Sequence, residues 1–172
     1  MTLDDLRVLL LRDVRAVRRE IDAYPDEARL WALPAGIKNS AGNLALHLAG
    51  NLQHYIGARL GGTSYVRDRD AEFARRNVPR AEIVRELDRA AAAVDTTLAK
   101  LNENTLTQTY PDQVAGMTFT TGEWLMHLAI HLGYHLGQID YHRRIVTGDA
   151  TTVDAVSVKE LPSPTRISSP GS

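Results

Sequence analysis

The sequence predicts an all-α protein, a four-helix bundle with a DinB-like arrangement, and three observations carry the fold class. Four segments of roughly 20 residues repeat apolar side chains at three- and four-residue steps, which is the helical period. Residues that start or stop helices bound each segment, and no convincing strand pattern occurs. The chain has 172 residues, 44% hydrophobic and 24% charged, which suffices for one domain with a core. Four such helices around one core are typical of a bundle.

The first two helices have clear ends. The first is predicted from Thr2 to about Tyr24, because a residue that precedes a proline is pushed out of the αR region and Pro25 follows. A connector separates it from the second helix. That helix is predicted to begin at Ser40, a favoured N-cap, and to end at the glycine pair 61–62.

The third helix lies between two irregular segments. Residues 63–77 are charge-dense and are predicted to be a loop with a short helical turn. Pro79 suits a first helical turn, and the apolar period then continues to Leu101. Residues 102–119 are polar and turn-rich and show no clear strand pair.

The last helix is predicted to begin with a capping box of Thr120 and Glu123 and to end before Gly148. Beyond it, residues 149–172 are rich in Ser, Thr and Pro and are predicted to be a flexible C-terminal tail. The sequence therefore predicts one bundle domain over residues 1–148.

The composition excludes several classes of function. A net charge of −1 offers no basic excess for nucleic acid. The absence of cysteine excludes disulfides, thiolate ligands and a cysteine nucleophile. No apolar run approaches the ~18 residues of a membrane helix, and the acidic N-terminus is unlike a signal peptide. We expect a cytoplasmic protein with a small-molecule substrate and no membrane partner.

The last helix carries an unusual ladder of histidines. His127, His131 and His135 follow one another at four-residue steps, and His142 falls on the same side. At about 100° per residue, all four lie within one arc of ~80°. Apolar residues flank this arc, so we expect the histidines to occupy the interior face of the helix.

Histidines on two facing helices predict a metal site. A single buried histidine is more often a neutral, hydrogen-bonded core residue than a metal ligand, and we interpret His142 in this way. Several histidines on one buried face are different, because each ring nitrogen needs a hydrogen-bond partner or loses its solvation. The second helix adds His47 and, seven residues later, His54. Imidazole suits zinc, nickel, iron and copper, and three protein ligands leave a position for water or substrate. Without an HExxH motif, a peptidase is unsupported.

Three motifs resemble the DinB/YfiT-like superfamily: SAGNLALHLAGN in the second helix, the charged RDRDAEF, and HLAIHLGYHLGQI in the last helix. The resemblance spans most of residues 1–147 and is closest to a branch of uncharacterised small bacterial proteins. It implies a four-helix bundle, often dimeric, that holds a divalent metal through one histidine of the second helix and two of the last. The matching residues are His47, His131 and His135, with His127 as an alternative to His131.

The resemblance also implies candidate cofactors and reactions. Zinc or nickel are the expected metals, with iron as a further candidate. Some members resemble metal-dependent S-transferases or isomerases that use a low-molecular-weight thiol such as mycothiol or bacillithiol. Two alternatives stay open. One is a metal-dependent hydrolase that uses metal-bound water, with His127, His54 or Tyr134 moving protons; the other is a non-catalytic metal-binding dimer.

Arg67 and Arg69 lie in a run of alternating charges that ends at Glu72. Such a run is usually a solvated loop with weak ion pairs. The functional interpretation places Arg67 or Arg69 at the mouth of a pocket, where either would bind a carboxylate of the substrate or of the thiol cofactor.

Ala129, Gly133 and Gly137 form a stripe of small residues on the last helix. Glycine inside a helix costs ~1 kcal/mol relative to alanine, so two of them indicate close approach of another helix. That helix is either a neighbour within the bundle or the helix of a second copy. We favour the second copy, a homodimer, because the opposite face already fills the core.

Overall fold

The computed structural model describes residues 2–163 and is all-α, with no β-strand in that range. Four long helices pack together: α1 (Leu3–Asp22) lies against α5 (Arg80–Leu98) and α6 (Thr121–Thr147), and α3 (Ala41–Leu52) also lies against both. The predicted all-α bundle is confirmed. None of the helices in residues 2–163 combines the length and apolarity needed to cross a membrane. Two short helices, α2 (Glu27–Leu30) and α4 (Arg69–Ala74), lie between the long ones.

Local capping sets the helix ends as the sequence predicts. The side chains of Thr2, Ser40 and Thr120 each accept a hydrogen bond from a backbone N–H in the first turn of the helix that follows. Gly148 ends α6 in the left-handed region with φ of 71°, a conformation that disfavours any residue with a Cβ. These ends need no tertiary contacts.

The irregular segments contain short helical turns. The connector before Ser40 includes α2, and the charged segment includes α4, whose N-cap is Asp68. A π-helical turn, Gln53–Ala58, extends α3. A 3-10 turn, Glu103–Thr107, precedes two isolated β-bridges within residues 109–120.

Helix α3 is buried on every side, since all 12 of its residues are buried. Its polar side chains therefore need partners inside the protein. Asn43 donates hydrogen bonds to the carbonyls of Glu72, at 2.9 Å, and Arg75, at 3.0 Å. These two bonds hold the C-terminal end of α4 against α3. Gly50 permits this approach, because a Cβ there would collide with the Glu72 carboxylate.

The first part of the predicted C-terminal tail, residues 149–160, packs against the bundle. Arg143 of α6, fully buried, donates to Glu20 at 2.6 Å and to the carbonyl of Thr151 at 2.7 Å. Arg19 of α1 donates to the carbonyls of residues 153 and 154. A short 3-10 turn, Val158–Glu160, then lies against α1. The rest of the predicted tail, 164–172, lies outside the described residues.

Candidate metal centre

Three histidines meet where α3 packs against α6. His47, His131 and His135 each present one possible ligand atom, and these atoms all lie within 4.8 Å of one another. The ring centroids of His131 and His135 are 4.5 Å apart, and that of His47 lies 5.1 Å and 5.3 Å from them. The structure thus brings together the three residues that the motifs imply, from helices far apart in sequence. This group could hold a divalent metal ion.

Glu72 of α4 orients His47. Nδ1 of His47 lies 2.9 Å from Oε2 of Glu72, and both side chains are 7% exposed. Nη2 of Arg67 also lies 3.2 Å from Nδ1, but the Glu72 oxygen is nearer. A carboxylate only accepts hydrogen bonds, so Nδ1 carries the hydrogen and Nε2 presents its lone pair to the cluster. Carboxylates commonly hold metal-binding histidines in this way.

Arg67 keeps Glu72 ionised. Its Nε and Nη2 donate to the two carboxylate oxygens at 2.7 Å and 2.8 Å. Burial by itself raises the pKa of Glu72, but the hydrogen bonds from Arg67 and His47 outweigh burial and lower it. Because Glu72 stays an acceptor, the hydrogen on His47 stays on the nitrogen that faces away from the cluster.

His135 is oriented by its own helix. Nδ1 of His135 lies 2.6 Å from Oε1 of Gln138, three residues later. The amide oxygen accepts the Nδ1 hydrogen, which leaves Nε2 of His135 unprotonated. Burial lowers the pKa of His135, against the opposing effect of this hydrogen bond. Gln138 is exposed and reaches back to the ring from the margin of the helix.

His131 has no such partner. Its Nδ1 is buried and makes no hydrogen bond within the described part of the chain, a costly state for a ring nitrogen. Its Nε2 lies 3.2 Å from Nε2 of His47. Two nitrogens that bind one tetrahedral zinc at ~2.05 Å would be about 3.3 Å apart. The donor set and this spacing therefore fit a shared divalent cation.

The prediction that all four histidines of α6 occupy the interior face is wrong. His127 is exposed and stacks on Trp124 with the ring centroids 4.9 Å apart. The core-facing arc of α6 centres about 100° from His131 on the helical wheel, so the ladder runs along its edge. Leu128, Leu132, Leu136 and Ile139 mark that arc.

The other histidines lie outside the cluster. The ring of His127 is 6.2 Å from that of His131, and His127 does not replace it. His54 packs against Tyr55. Burial lowers the pKa of His54, and the positive charge of Arg67 lowers it further. His142 is buried, as expected of a structural histidine. Its Nε2 donates to a backbone carbonyl at 2.9 Å, so its Nδ1 accepts from a tyrosine hydroxyl at 2.7 Å.

The two arginines of the charged segment have different surroundings. Arg67 is only 9% exposed and is held by Glu72. The guanidinium of Arg69 lies 5.2 Å from the ring centroid of Phe73, which itself packs 4.8 Å from His47. Carboxylate binding by either arginine stays a prediction.

Sequence reasoning missed the role of Glu72. The segment was interpreted as a solvated loop, but Glu72 is buried and Arg67 pairs with it inside the protein. Two signals in the sequence were available: the glycine at position 50, and an asparagine and a histidine on the same face of α3. Neither identifies its partner without the fold.

The fold and the cluster together define a helical bundle with a three-histidine group that could bind metal. The chain matches the family model described as "Protein of unknown function (DUF1572)" over residues 3–159 and belongs to that family. Searches of curated proteins and of solved structures found no match. The resemblance to the DinB/YfiT-like superfamily rests on the motifs.

We predict that acid destabilises the metal-free protein through His131. Burial, reinforced by His135 and His47, lowers the pKa of His131 from 6.5 to about 4. Between these values the unfolded chain binds a proton that the folded chain does not, so the free energy of unfolding falls as the pH falls. The loss from His131 should be below ~3 kcal/mol, because solvent screens a half-buried ring.

Urea denaturation of chelator-treated protein between about pH 7 and pH 4 measures this effect. His131→Asn should reduce the slope of stability against pH, and His127→Asn, at an exposed position of the same helix, should not. An unchanged slope in His131→Asn would contradict the prediction.

Proposed function

We propose that this protein binds one divalent cation, zinc or nickel first and iron next, through His47, His131 and His135, and that it is a thiol-dependent S-transferase. One observation carries the proposal. The Nδ1 atoms of His47 and His135 are both held by hydrogen-bond acceptors, so both Nε2 lone pairs are free to bind a cation. Three protein ligands leave a coordination position for an external molecule.

At neutral pH the histidines of the cluster are in the state that binds metal. Burial lowers the pKa values of His131 and His135, so both rings are unprotonated and available as ligands. The cation would supply one effect, a lower pKa of the thiol or water bound to it. Glu72 and Arg67 would hold His47 in place during ligand exchange.

Glu72, the carboxylate bonded to His47, is not free to act as the base of a hydrolytic reaction. Hydrolysis calls for a general base near the water. Both oxygens of Glu72 are already bonded, one to Arg67 alone and the other to Arg67 and His47. A thiol that ionises on binding needs no such base, and in a chain without cysteine it comes from outside. In the transfer, sulfur bonds to an electrophilic carbon, the leaving group departs with its electron pair, and the thiol proton passes to solvent.

Elemental analysis tests the metal site. Wild-type protein reconstituted with zinc or nickel should retain one equivalent after dialysis, whereas His47→Ala, His131→Ala and His135→Ala should each lose most of it, because two imidazoles bind much more weakly than three. His127→Ala and His54→Ala are matched controls that should retain the metal. Stoichiometric metal in all three ligand variants would disprove this ligand set. Circular dichroism verifies that each variant is helical.

A transfer assay tests the proposed reaction. Mycothiol, bacillithiol, glutathione and coenzyme A would each be mixed with chlorodinitrobenzene and metal-loaded protein, and thiol consumption followed. We expect acceleration with at least one thiol and none with metal-treated His47→Ala. Inactivity with all thiols, in protein shown to hold metal, would count against a transferase and leave the metal site standing.

We also propose a homodimer through the outer face of α6. Large apolar side chains are exposed there over almost the whole helix: Ile130 by 65%, Tyr134 by 64%, and Tyr141 by 70%. Gly133 and Gly137 lie on the same face, and a Cβ at either would meet nothing within 4 Å. Two copies of this face are self-complementary, because the aromatic rings of one can pack over the glycines of the other.

Light scattering after gel filtration tests the dimer. The wild type should elute with the mass of two chains at micromolar concentration. Ile130→Glu and Tyr134→Glu should each shift it to one chain, because they place charge in the interface without touching the core. Arg85→Glu, on α5, is the surface control. A monomeric wild type, or dimers in both α6 variants, would rule out this interface.

A further inference from the structure

A cavity of about 280 Å³ lies between the start of α3, the segment before it and the second half of α6. Its walls include Leu44 of α3 and Gln138 of α6. Leu44 precedes His47 by three residues, and Gln138 follows His135 by three. The two helices are antiparallel here, because Tyr55 meets Trp124 at one end and His47 meets His131 further along. Both walls therefore lie about one helical turn, ~5 Å, beyond His47 and His135 in the same direction. The cavity therefore adjoins the proposed metal centre.

Gln138 connects the cavity to the cluster directly. Its side chain lines the cavity, and its Oε1 accepts the hydrogen bond from Nδ1 of His135. His142, which also lines the cavity, has both ring nitrogens hydrogen-bonded elsewhere. It offers the cavity a neutral ring and no free donor.

The lining of the cavity combines one positive charge with apolar walls. Lys38 is exposed at its rim and is the single cation with a fixed charge among its described lining residues, which include no acidic side chain. Lys38 lies two residues before Ser40, the N-cap of α3, whose helix dipole adds positive potential. Leu44, Ile37 and Ile145 supply apolar surface. Such a lining suits a carboxylate on an apolar stem.

We propose that this cavity binds the carboxylate-bearing end of the small molecule whose thiol reaches the histidine cluster, with Lys38 as the counter-ion. The inference rests on the proposed metal-dependent function and names its substrate class, an apolar-stemmed thiol acid. Lys38 suits this role better than the arginines of the charged segment. Arg67 is committed to Glu72, and Arg69 lies over Phe73.

Thiol binding to the cobalt-loaded protein tests the proposal, because sulfur coordination to cobalt(II) is seen as a charge-transfer absorption band. The probes are mercaptohexanoate and mercaptohexanol, which share the thiol and differ in charge at the far end. Wild type should bind the acid roughly tenfold more tightly than the alcohol. Lys38→Met should abolish the preference and Lys38→Arg should retain it. Arg69→Met is the matched control and should behave like wild type.

A second measurement separates this inference from the metal proposal. Hexanoate and hexanol, which lack the thiol, would be titrated into metal-free protein and followed by amide chemical shifts. Hexanoate should perturb Lys38, Asn39 and Gln138 in the wild type and not in Lys38→Met. If hexanoate gives these shifts but the protein binds no cobalt, carboxylate binding in the cavity is supported and the proposed metal-dependent function is wrong. Equal preference for the acid in Lys38→Met and wild type, or no hexanoate shifts in this cavity, would overturn the inference.

Discussion

The complete burial of α3 is the constraint on which the rest of the structure depends. A helix with no solvent-facing side must pair each of its polar side chains within the protein. Asn43 donates a hydrogen bond to the backbone of α4, and His47 is hydrogen-bonded to the carboxylate of Glu72, which is also on α4. The short helix α4 is thus bound to α3 by the polar groups that α3 cannot expose to solvent. The orientation of the candidate metal ligand is a direct consequence.

One continuous chain of contacts then runs from the surface segment to the cluster. Arg67 stabilises the ionised form of Glu72, and this carboxylate accepts the hydrogen on Nδ1 of His47. Nε2 of His47 then faces His131. Burial favours the neutral form of the rings of His131 and His135. Imidazole lone pairs that converge on one point have no hydrogen-bond donor between them, and a cation bound there would give each of them a partner. The same packing leaves the adjacent cavity open one turn further along the two helices.

The order of the four long helices and the caps at several of their ends were accessible from the sequence, and the resemblance implied the three clustered histidines with His127 as an alternative. Caps such as Thr120 with Glu123 act within one turn, and the four-residue spacing of His131 and His135 places them on one face whatever the fold. The burial of each histidine was not accessible. The wheel shows which residues share a side but not where the core centres, and for this reason His127 was wrongly placed inside.

Local sequence therefore specified the helices, because capping, helical period and glycine conformation depend on neighbours within a few residues. Packing between distant segments made the site. Glu72 is 25 residues from His47, and His131 is 84 residues from it, so no local pattern records their contact. Glu72, in a charged run that would be solvated by itself, became buried because α3 offered it a histidine and the space above Gly50. Burial and hydrogen-bond partners, which only the folded chain supplies, turned a ladder of histidines into a candidate metal centre.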